Sequence, residues 1–84
     1  MPKIPRDLSG RDLATLLSKY GYEITRQSGS HIRLTSTYGN VKHHITIPDH
    51  SPLKIGTLGN ILRDLAQGLN RDRESLIAEL FKDY

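Results

Sequence analysis

The chain has 84 residues, no cysteine, 36% hydrophobic side chains and a formal charge of +3. That length supports one modest core and no deep enclosed pocket beside it, so function is expected on an open surface. Without cysteine there are no disulfides or zinc–thiolate sites; no apolar run approaches a bilayer crossing, and Met1, Pro2, Lys3, Ile4, Pro5 and Arg6 form no apolar signal core. A cytoplasmic protein with no membrane association is expected.

Ser9 and Asp12 have the spacing of a capping box, which predicts a helix from about Gly10. Leu13, Leu16, Leu17 and Tyr20 then share a helical face, and Gly21 suits a left-handed stop after Lys19 or Tyr20. From Tyr22 the period becomes two, with Tyr22 and Ile24 on one side and Glu23 and Thr25 on the other, running into a turn at Ser28 and Gly29. Ile32 and Leu34 next alternate with His31, Arg33 and Thr35. After a second turn at Tyr38, Gly39 and Asn40, Val41, His43, Ile45 and Ile47 oppose Lys42, His44 and Thr46, and Pro48 closes the strand. Asp49, His50, Ser51 and Pro52 make a loop. Leu58, Ile61, Leu62 and Leu65 mark a second helix, opening near Gly56 and Thr57 and closing before Gly68. Asp72 caps a C-terminal helix bearing Leu76, Ile77, Leu80 and Phe81. The expectation is an α+β fold: an α-β-β-β-α core with a three-stranded antiparallel sheet, helices on one face and an added C-terminal helix. We expect residues 1–84 to form a single domain, its core at about 9–66 and its last helix at about 72–82.

His31 is the residue best placed for chemistry. It opens an alternating strand just after a glycine-bearing turn, and imidazole as a class exchanges protons near neutral pH. With Ile32 and Leu34 facing the core, His31 and Arg33 share the exposed face. Positions 27 to 48 contain no carboxylate, so this part of the chain favours phosphate. Metal-free phosphodiester cleavage needs a base for the attacking hydroxyl, an acid for the leaving oxygen and positive charge for the phosphorane. His31 can supply the base or the acid, and the forked donors of Arg33 can hold the phosphate. For the second proton transfer, His44 has the outward phase of Lys42 and His50 lies in a loop, while His43 is in phase with the core. Lys54, Gly56 and Thr57 stand at a helix start, where free amides attract anions. Gly29 shapes the turn, and Ser30 either orients His31 or merely turns the chain. A metal site is disfavoured because His43 and His44 point to opposite faces and only Asp49 is near. A hydrolase triad is disfavoured because Ser30 alternates away from His31.

The strings RQSGSHIRL, ITIPDH and LKIGTLGNIL, in this order along the predicted elements, resemble the HicA family of toxins. The likeness runs from about Leu13 to Ala66. Its most specific part is Gly29-Ser30-His31 after Arg26, followed by Pro48, His50 and Gly56-Thr57-Leu58. The resemblance implies a fold of double-stranded-RNA-binding shape and a metal-free, cofactor-free ribonuclease acting on messenger RNA, with the catalytic histidine at His31. It also implies a HicB-type antitoxin that neutralises the chain; no direct DNA binding is expected without that partner. Arg26, Gly29, Ser30, Arg33, Lys42, His44, His50, Lys54 and Thr57 are the expected RNA-binding or supporting residues. A noncatalytic RNA-binding module of the same shape is the alternative, and a partner-binding subunit that has lost activity is a third reading. The loop from Thr35 to Asn40 lacks the positive charge usual in the family.

Overall fold

The computed structural model describes residues 4–36 and 42–82. Helix α1 spans Gly10–Leu17 and tightens into a 3₁₀ turn at Ser18–Tyr20; strands β1 (Tyr22–Ser28), β2 (His31–Ser36) and β3 (His43–Pro48) follow, then helices α2 (Ile55–Leu69) and α3 (Arg73–Leu80). The strands form an antiparallel sheet in the order β1-β2-β3, which is the expected α+β architecture. The turn expected at Tyr38 to Asn40, and the strand start at Val41, lie outside the described residues.

Local chemistry accounts for most element ends. The Ser9 hydroxyl accepts the Asp12 amide at 3.0 Å while the Asp12 carboxylate accepts the Ser9 amide at 3.4 Å, completing the capping box. Gly21 ends the 3₁₀ turn with φ of 86°. The Asp72 carboxylate accepts the Ser75 amide at 3.0 Å and opens α3.

Alternation sorts the sheet into two faces. Ile32, Leu34, Ile45 and Ile47 are buried against Leu13 and Leu17 of α1, Leu58, Leu62 and Leu65 of α2, and Leu76 and Ile77 of α3. Each such side chain contributes about 1.5–3 kcal/mol when fully buried. Leu8 and Leu53 join this core, held together by the Leu53 amide donating to the Leu8 carbonyl at 2.8 Å. Both lie in segments without hydrophobic periodicity, so pattern reading passes over them.

Three details depart from the sequence expectation. Helix α2 continues through Gly68 to Leu69 and stops at Asn70, which has a left-handed φ of 53°. Gly68 instead makes room for His43: a Cβ there would lie 2.5 Å from the imidazole Nδ1. Ile24 has the core-facing phase of Tyr22 but is 52% exposed: it lies on the edge strand β1, in an open hollow lined also by Ala14 and Thr15 of α1. The β1–β2 register also slips between Ile24 and Arg26, so Thr25 is an extra residue that returns Arg26 to the outer face.

His43 is half-buried, as its phase implied. Its Nδ1 is 2.6 Å from the Tyr22 hydroxyl, and the two rings meet edge-to-face with centroids 5.8 Å apart. Burial raises the Tyr22 pKa above its ordinary value.

Candidate functional site

The hairpin that presents His31 has a two-residue loop, Gly29 and Ser30. Gly29 has φ of 57° and Ser30 keeps a negative φ, the pattern of a type II′ turn, whose twist suits adjoining antiparallel strands. The Ser30 carbonyl accepts the Asp49 amide at 2.6 Å, which ties the turn to the chain leaving β3. The Asp49 carboxylate in turn accepts from Arg11 Nη2 and Gln27 Nε2, each at 3.3 Å. Gly10 completes the brace. Its amide donates to the His50 carbonyl at 2.9 Å, and a Cβ would lie only 2.1 Å from the Pro48 carbonyl oxygen.

On the outer face the register makes three successive rows. The first is Ser28, His31 and Pro48; the second Arg26, Arg33 and Thr46; the third Glu23, Thr35 and His44. His31 is exposed and its ring makes no hydrogen bond to another described residue. Arg26 and Arg33 are also exposed, and neither forms an ion pair among the described residues. Like charges directly opposite each other destabilise a sheet, so this row gains from an anion.

Beyond Pro48, the residues Pro48, His50, Leu53, Lys54 and Thr57 line a hollow of about 150 Å³. Lys54 is the N-cap of α2 and makes no side-chain cap, and Thr57 lies in the first helical turn. His50, Lys54 and Thr57 therefore gather at the His31 end of the sheet. His44 does not: Thr35, its partner, is four residues from His31, about 13 Å along the strand. Its Nδ1 is 2.9 Å from the Thr35 hydroxyl. Lys42 is exposed just before β3, toward that far end. The slip at Thr25, which sets Arg26 against Arg33, has no sequence signal beyond strand character. Among the described residues no three His, Asp or Glu side chains come together as metal ligands.

The molecule is thus a small α+β protein whose helices cover one face of a sheet and leave a cationic, histidine-bearing face open. A family model described as HicA toxin of bacterial toxin-antitoxin matches residues 10–66, from the first residue of α1 into α2. The chain belongs to the HicA toxin family and is a toxin of a toxin-antitoxin system. Helix α3 lies beyond the matched segment. No curated protein and no solved structure matches the chain. Among the described residues no helix is long and apolar enough to cross a membrane.

Proposed function

We propose that the chain is an endoribonuclease that cuts messenger RNA and so blocks translation, with His31 as the proton-transfer group and a HicB-type antitoxin covering the open sheet face to silence it. The observation that carries this reading is the placement of an exposed His31 one row from the exposed Arg26–Arg33 pair. An RNA strand lying along β2 brings a phosphate over the two guanidiniums and a neighbouring ribose to the imidazole.

In the first step the base removes the 2′-hydroxyl proton, the 2′-oxygen bonds to phosphorus, and the bond from phosphorus to the 5′-oxygen breaks. The leaving oxygen takes a proton, giving a 2′,3′-cyclic phosphate and a 5′-hydroxyl. His31 serves as base or acid. His50, at the same end of the sheet, is the better placed histidine for the complementary transfer, and Lys54 and Thr57 hold the adjoining phosphate.

The test is incubation of the protein with labelled single-stranded RNA in excess EDTA, beside a folded His31→Ala variant. Cleavage by the wild type alone, leaving cyclic phosphate ends, is the expected result. Intact RNA in both samples, with retarded mobility on a gel, replaces this reading with a noncatalytic RNA-binding module.

A further inference from the structure

The row farthest from His31 contains a hydrogen-bond chain that crosses all three strands. The Thr25 hydroxyl lies 3.4 Å from the Arg33 carbonyl and 2.9 Å from the Thr35 hydroxyl, which is itself 2.9 Å from His44 Nδ1. Thr25 has the outward phase of Glu23, and the slip that follows it leaves it without a cross-strand partner of its own, next to Arg33 and Thr35.

Counting protons orders the chain. If His44 Nδ1–H donates to Thr35, then Thr35 donates to Thr25 and Thr25 donates to the Arg33 carbonyl, so every hydrogen has an acceptor. In the reverse order Thr25 donates to Thr35, Thr35 donates to His44, and the Arg33 carbonyl loses its hydroxyl. The first order makes one bond more and places the proton on Nδ1. In this tautomer Nε2 is left as an acceptor on the side of the ring away from Thr35.

An acceptor does not hold a phosphate, which is itself acceptor-only. Exposed Glu23, at the β1 end of the same row, offsets the positive charge that Lys42 brings to this end of the sheet. Along an RNA strand the donor present at every nucleotide, whatever its base, is the 2′-hydroxyl. We infer that His44, positioned by Thr35 and Thr25, forms a ribose-reading subsite in which Nε2 accepts the 2′-hydroxyl of a nucleotide some way along the strand from the cut. The inference rests on the reading of this face as an RNA surface. It makes the protein demand ribose at two places: at the scissile bond for chemistry, and about 13 Å away for recognition.

The test is affinity of the full chain for a set of RNA oligonucleotides, each with one 2′-deoxy substitution, measured in a His31→Ala background that keeps the strands intact. One position is expected to weaken binding roughly twofold to tenfold, the worth of one hydrogen bond. That loss should vanish in the His44→Phe double variant and shrink in the Thr35→Val one. No sensitive position, or a loss that persists unchanged in His44→Phe, overturns the subsite. Cleavage of the all-ribose strand by the wild type is scored separately. Cleavage without a His44-dependent ribose effect defeats the subsite alone; the ribose effect without cleavage supports the subsite and defeats the ribonuclease reading. Failure to bind any strand overturns both.

Discussion

Arg26 and Arg33 stand directly opposite each other across β1 and β2, on the exposed face and without a carboxylate partner among the described residues. A pair in that position works against the fold and in favour of an anionic ligand. Arg26→Ala and Arg33→Ala are each expected to leave stability within about 0.5 kcal/mol of wild type. Each should also weaken RNA binding and lower the slope of log affinity against log salt by about 1. An unchanged salt slope in both variants, read by fluorescence anisotropy, counts against this row as the phosphate contact.

Gly68 is the penultimate residue of α2, where helix propensity favours alanine over glycine by at most about 1 kcal/mol. Here the added Cβ would lie 2.5 Å from His43 Nδ1 and 2.9 Å from its Cγ, on a ring already engaged with Tyr22. Overpacking wins, and Gly68→Ala is expected to lose about 1–3 kcal/mol. A thermal midpoint equal to or above wild type would contradict this account.

Tyr22→Phe removes the hydroxyl from His43 while keeping the ring that is 1% exposed in the core. The expected loss is about 0.5–1.5 kcal/mol in urea unfolding, with the slope unchanged because the buried surface hardly changes. RNA binding should be unaffected, since the pair faces the helices.

Acid should loosen α3 before the rest of the molecule. The Glu79 carboxyl is held below its ordinary pKa by its bond to Arg71 and then by that from Tyr20, and the Asp72 carboxyl is held down chiefly by the Ser75 amide. A carboxyl whose folded pKa is depressed supports the fold above its unfolded pKa and loses that support as pH falls through the folded value. The loss is therefore expected below about pH 4, in the carboxylate range. Amide exchange protection in α3 should fall there ahead of that in α2. Asp72→Asn keeps the cap without the titration and should remove part of the effect. Parallel loss of protection in both helices would refute it.

Legibility followed range. The capping box of Ser9 and Asp12, the cap at Asp72, the stop at Gly21 and the two-residue alternation of His31 to Leu34 are set by atoms within a few positions of each other, and the structure has them as read. Period alone placed His31 and Arg33 together on the open face and His43 toward the core. The distances between the histidines were not legible, because His31 with Pro48 and Thr35 with His44 become rows only through strand register.

By itself, then, the amino-acid sequence determined the element order, the sheet's two faces and the family, since periodicity and capping act locally along the chain. Tertiary structure alone decided why Gly68 is glycine inside a helix, why Gly10 meets Pro48, and that Leu8 and Leu53 complete the core. It also set Arg26 against Arg33 by one slipped residue, and brought the Thr25 and Thr35 hydroxyls to 2.9 Å. The first three depend on close approaches between segments distant in sequence, which exist only once the core has packed, and the last on a strand register that periodicity does not encode.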